Sequence, residues 1–188
     1  KFPKCGKNPT FSELASFLLL YGDRCNKFEF TDEERIEYLT ECFPHGSSEL
    51  GIIVHITENL KQSNQLSYSK VISEFLDIKS GGLVRNGMWT DLISEDELRQ
   101  KKKECVSAYA ARYVNANTML LTFTTLNIPT RVFFNLLTPR IRLRMVGNRA
   151  LNNINDILKR ALAIEADLEL LKKDYDRDKY QKSIPKES

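Results

Sequence analysis

Histidine is nearly missing from this chain: only two of its 188 residues, His45 and His55, are of that type. A base-catalysed or His-ligated centre therefore has little to draw on, and His55 stands in an apolar run where a packed or half-buried ring is expected. Eight glycines and six prolines are too few for a collagen-like or low-complexity chain, and four cysteines are too few for a disulfide scaffold. Cys5, Cys25, Cys42 and Cys105 have no CxxC spacing, so reduced and mostly packed thiols are expected, with no metal site. The longest apolar stretches, Phe17 to Tyr21 and Leu50 to Ile56, fall far short of the roughly 20 residues a bilayer span requires. No basic-then-apolar leader opens the sequence, so the cytoplasm is the expected compartment. Because residue 1 is lysine, the chain reads as a portion of a longer protein.

Catalytic signatures are missing as well. There is no G-x-S-x-G elbow, P-loop, G-x-G-x-x-G turn, H-E-x-x-H helix or D-[ST]-G triplet. Asp32, Glu33, Glu34 and Glu37 crowd one helix start, where the helix dipole favours them and water keeps them solvated. The expectation is a protein that binds or assembles, with no catalytic residue, cofactor or metal.

What is present is 41% apolar and 28% charged, a foldable composition. The net charge of +3 hides an asymmetry: residues 1–80 carry 9 basic against 12 acidic side chains, and the remainder 19 against 13. From Cys105 to Asn155 there is no Asp, Glu or Lys, yet Arg112, Arg131, Arg140, Arg142, Arg144 and Arg149 all lie there. Two readings stay open. Arg140, Arg142, Arg144 and Arg149 suit a polyanion site, because guanidinium forks match phosphate oxygens. Equally, such arginines hydrogen-bond helix C-terminal carbonyls or reach acids elsewhere in the fold.

Helical periodicity organises the rest. Thr10 precedes a run through Phe11, Leu14, Ala15, Leu18 and Leu19 to about Arg24. Thr31 and Glu34 make a capping box ahead of Ile36, Leu39 and Phe43. Ser47 or Ser48 heads a third helix to about Leu60, despite β-branched residues that also suit a strand, and Ser67 or Ser69 heads a fourth through Phe75. Ser80-Gly81-Gly82 breaks the pattern, and 81–94 reads as a linker in which Leu83, Val84, Met88 and Trp89 are apolar candidates for an interface. Ser94 and Glu97 head a long helix through Leu98, Val106, Tyr109, Ala110 and Tyr113, with apolar residues continuing to Leu126. Pro129 starts a helix through Val132 to Leu137, and Pro139 a short one through Ile141 and Val146 that Gly147 ends. Asn152 or Asn153 caps a last long helix that frays into a charged tail after about Lys173. An all-α protein of two small helical lobes follows, spanning 1–80 and 95–175, with a flexible charged tail at 176–188.

Gln100, Glu104, Tyr109 and Arg112, followed by Tyr113, have the spacing Q-x3-E-x4-Y-x2-R-Y. This resembles the major homology region that opens the C-terminal domain of retroviral and LTR-retrotransposon Gag capsid proteins. Lys101 stands where that region has glycine, which suggests that continuous helix replaces the family's tight turn. The run Phe133 to Arg142 is similar to the F-x-x-G-L-x-P-x-x-R stretch of retrotransposon Gag, with Asn135 or Leu136 in place of glycine. Ala161, Ala163, Ile164, Glu165 and Ala166 look like the Ala-rich helix that ends many such capsids.

The resemblance implies that Gln100, Glu104 and Arg112 form an intramolecular hydrogen-bond network while the aromatics enter the core. It also implies a structural protein that associates with itself into a virus-like particle shell enclosing the element's RNA, the RNA being held mainly by regions outside this chain. Two other readings stand beside it: a domesticated Gag-derived cellular protein that carries cargo or inhibits assembly, and an unrelated helical RNA-binding or adaptor module that uses the acid-free arginines.

Overall fold

A computed structural model describes residues 1–145, 147 and 152–183, with side chains through residue 180. Among the described residues all regular structure is helical, in eleven helices. None of them is long and apolar enough to cross a membrane. By contacts the chain divides into two compact units, Lys1–Ser94 with Asn115–Asn127, and Glu95–Val114 with Ile128–Ser188. These limits differ from the boundaries expected near residues 80 and 95.

The first unit contains α1 (Phe11–Lys27), α2 (Asp32–Thr40), α3 (Ser48–Gln62), α4 (Tyr68–Lys79), α5 (Leu83–Asn86) and α6 (Trp89–Leu92). Local signals set its helix starts. Thr10 with Glu13, and Thr31 with Glu34, form reciprocal capping boxes, and Ser47 and Ser67 accept from backbone N–H groups two or three residues into α3 and α4. The β-branched run 52–56 is helical, and it buries Ile53 and Ile56. His55 is exposed on the opposite side of α3 and meets the Asn59 amide at 3.1 Å. It is not the packed ring its apolar neighbours suggested.

Leu14, Leu18, Tyr21, Leu39, Ile53, Ile56, Phe75 and Leu76 are fully buried in one core with Cys5, Cys25 and Cys42. Each large apolar side chain so buried contributes about 1.5–3 kcal/mol of transfer free energy. The segment expected as a linker instead coils into α5 and α6, burying Val84, Trp89 and Ile93 while Leu83 and Met88 stay exposed. Gly87 permits the turn between them, because a Cβ there would lie 2.6 Å from the Leu83 carbonyl oxygen.

The second unit holds α7 (Glu95–Leu98), α9 (Thr130–Asn135), α10 (Pro139–Met145) and α11 (Ile154–Ser183). One helix, α8 (Val106–Phe123), serves both units: its first half belongs to the second and its last half to the first. Asn153 caps α11 through the Asp156 N–H at 2.9 Å. α11 runs on to Ser183 and does not end near Lys173, although no side chain from Glu169 to Tyr180 is buried. Val146 lies outside the described residues.

Candidate functional site

The long helix expected from Ser94 to Leu126 is broken, and the break builds the site. α7 ends at Leu98, α8 begins at Val106, and a turn closed by the Glu104 N–H on the Lys101 carbonyl at 3.0 Å lies between them. In a continuous helix the carbonyls of residues 97–99 would accept from the N–H groups of residues 101–103. Here they accept from Arg112: Nη1 donates to the Glu97 carbonyl at 2.7 Å, and Nη2 to those of Arg99 at 2.9 Å and Leu98 at 3.4 Å. Lys101 in the glycine position is therefore compatible with a tight turn, which corrects the expectation of continuous helix.

The same guanidinium grips Glu104 in a two-pronged ion pair, Nε to Oε1 at 2.7 Å and Nη2 to Oε2 at 2.8 Å. Glu104 Oε2 also accepts from the Lys101 N–H at 2.9 Å. The Arg112 hydrogen bonds outweigh the opposing effect of burial and lower the Glu104 pKa, while the same pairing raises that of Arg112. Gln100 is only 5% exposed and both ends of its amide are used: Nε2 donates to the Glu104 carbonyl and Oε1 accepts from the Thr138 N–H, each at 2.9 Å. Its own N–H donates to the Leu136 carbonyl at 3.0 Å. One side chain thus ties the turn before α8 to the start of α10.

Tyr109 and Tyr113, one turn apart on α8, enclose Phe133 of α9. Tyr109 stacks on that ring and Tyr113 meets it edge-on, both with centroids 5.0 Å away. Buried phenols require acceptors, and these find backbone carbonyls: Tyr109 donates to Phe133 at 2.8 Å and Tyr113 to Pro129 at 2.9 Å. Gln100, Glu104 and Arg112 therefore form one connected network, and Tyr109 joins the aromatic cluster around Phe133 in the same unit. Scans against protein-family models, curated proteins and solved structures give no match.

The remaining arginines divide by role. Arg142 Nη1 donates to the Asn135 carbonyl at the end of α9, so it and Arg112 follow the carbonyl-capping reading. Arg131, Arg140 and Arg144 are exposed, and no hydrogen bond or ion pair holds them among the described residues. Arg149 lies outside the described residues. No group of three or more His, Cys, Asp and Glu is arranged to hold a metal ion among the described residues.

Two polar contacts were not anticipated. α8 has Cys105 before it, and the carboxylate that meets its first N–H is remote: Glu165 Oε2 of α11 accepts from the Val106 N–H at 2.8 Å. A helix preceded by cysteine where Ser, Thr, Asp or Asn would cap it is the signal that points to such a partner. In the first unit Glu49 is 1% exposed and paired with Lys79 at 2.7 Å. Burial alone would raise its pKa, but the Lys79 hydrogen bond and charge lower it. No local pattern marked Glu49 as internal.

Proposed function

We propose that this chain is a Gag capsid-type structural protein of an LTR retrotransposon, acting in the cytoplasm by self-association into a shell around the element's RNA. The observation that carries the reading is the hydrogen-bonded set Gln100, Glu104 and Arg112, with Tyr109 buried in the core of the same unit. In the family that the sequence resembles, the polar members of this motif form an internal network and the aromatics fill the core. Here Gln100, Glu104 and Arg112 bond one another and the neighbouring backbone, while Tyr109 is buried and bonds the Phe133 carbonyl. The role of the set is structural, since every polar atom of the Gln100 amide and the Glu104 carboxylate is engaged inside the unit and none is offered to a substrate. Function then lies in surfaces that the network holds in shape, and many weak copies of one contact give a stable particle.

Electron microscopy with sedimentation of the purified chain across salt and protein concentration tests the reading. Shells or tubes are the expected result. A monomer under every condition, with no assembly by the longer parent protein, overturns it. Arg112→Ala, which loosens the turn between α7 and α8, is expected to weaken particle formation.

A further inference from the structure

Two surface features, one in each unit, carry opposite charge around an apolar centre. In the first unit α2 and α3 border a groove of about 380 Å³ lined by Ile36, Val54, Thr57 and Leu66 and edged by Glu33, Glu37 and Glu58. Lys61 is the single basic lining residue, and it is already paired with Glu58 at 3.7 Å. Val54 is half exposed, so the groove presents apolar surface within an acidic rim.

In the second unit α10 turns Ile141 and Met145 inward and leaves Arg140, Leu143 and Arg144 exposed. At about 100° per residue these three share one face. Leu143 is 68% exposed, the most exposed leucine among the described residues. The charged residues of α9 and α10 are all arginines, for neither helix contains an acid.

We propose that α10 of one molecule docks into the α2–α3 groove of a second copy, Leu143 entering the apolar floor while Arg140 and Arg144 meet the acidic rim. The spacing matches: Glu33 and Glu37 are one turn apart on α2, as Arg140 and Arg144 are on α10, so two pairs form in register. A nucleic acid would satisfy the two arginines but leave Leu143 and the groove uncovered, which favours the protein partner. The contact is heterologous, joining different surfaces of the two copies, and it generates rings when the rotation closes and filaments when it does not. This inference rests on the self-association proposed above and names the surfaces that mediate it.

The test uses three forms of the 188-residue chain in low salt: the wild type, Glu33→Lys/Glu37→Lys and Arg140→Glu/Arg144→Glu, all at exposed positions, with circular dichroism as the check on folding. Each variant alone is expected to associate about tenfold more weakly than the wild type by sedimentation. An equimolar mixture of the two regains association, because each reversed groove then meets an opposite helix on its partner. Misfolding of either variant would not be repaired by mixing. Wild-type association together with a mixture no stronger than the separate variants overturns the contact and leaves the capsid reading standing, whereas a wild type that stays monomeric overturns the contact, and the capsid reading falls with it when the longer parent protein also fails to assemble. If labelled single-stranded RNA binds the wild type but not Arg140→Glu/Arg144→Glu, while association is unchanged, α10 is a nucleic-acid surface and the docking proposal fails.

Discussion

The two units reach stability by different chemistry. The first is closed mainly by contact between side chains: Tyr21, Phe43 and Phe75 lie among buried aliphatics and three buried thiols, with the Glu49–Lys79 pair beside them, and Tyr21 alone of the three donates to a carbonyl, that of Arg35 at 2.6 Å. Burial pushes the Cys42 thiol up to about 11, so it is neutral packing material at ordinary pH. The second unit is closed through the backbone. Its two buried tyrosines are tied by their hydroxyls to carbonyls, and Gln100, Glu104 and Arg112 hold a turn whose own backbone closure is the one bond from the Glu104 N–H to the Lys101 carbonyl. Packing tolerates changes that conserve volume. A network whose members each satisfy others does not tolerate loss of a single member.

The comparison is broken hardest by removing a ring from each core. Phe75→Ala and Phe133→Ala, both at fully buried positions, are each expected to cost about 4 kcal/mol by urea denaturation. Hydrogen exchange then shows which unit opens first. The next effect separates the units. Arg112→Ala strands the largely buried Glu104 carboxylate and three carbonyls, at a cost of about 3 kcal/mol. Exchange is expected to rise across residues 97–105 while Cys25 and Cys42 remain as slow to react with a thiol reagent as in the wild type.

Both units depend on a carboxylate whose pKa is lowered, Glu49 in one and Glu104 in the other. For such groups the stabilisation is present above the unfolded carboxyl pKa and is lost as pH falls through the folded value. Stability should therefore decline on acidification below about pH 4.3, the ordinary glutamate value, and Arg112→Ala or Lys79→Met should flatten that decline. Smaller still, Gln100→Ala leaves the Thr138 N–H and the Glu104 carbonyl without their side-chain partner and is expected to cost about 2 kcal/mol. Thr31→Ala removes one cap from α2 at about 1 kcal/mol, measured by thermal melting.

Legibility followed the same division. Thr31 with Glu34, Ser47, Ser67 and Asn153 announce their helices because a cap acts over three residues, and the apolar period supplies the rest. The turn at 99–105 was not legible, because what stops the helix is Arg112, a residue beyond the stop. The Glu165–Val106 bond joins positions 59 apart, a distance over which no local pattern operates. The pairing of Glu104 with Arg112 was expected only through the resemblance, and the burial of Glu49 was not expected at all.

The helix that serves both units sets a rule for taking the molecule apart. Ala116, Met119 and Leu120 on its last half are buried, and Ser16 of α1 donates a hydrogen bond to the Met119 sulfur at 3.1 Å. A cut after Ser94 therefore deprives the N-terminal piece of part of its own interior, and that piece should be sticky and poorly folded even though every residue of α1 to α6 is retained. The first unit is assembled from two stretches of chain, Lys1–Ser94 and Asn115–Asn127, that are not consecutive in sequence. Moving the first unit into another protein as one continuous piece would carry residues 95–114 of the second along with it, and moving the second would carry residues 115–127 of the first.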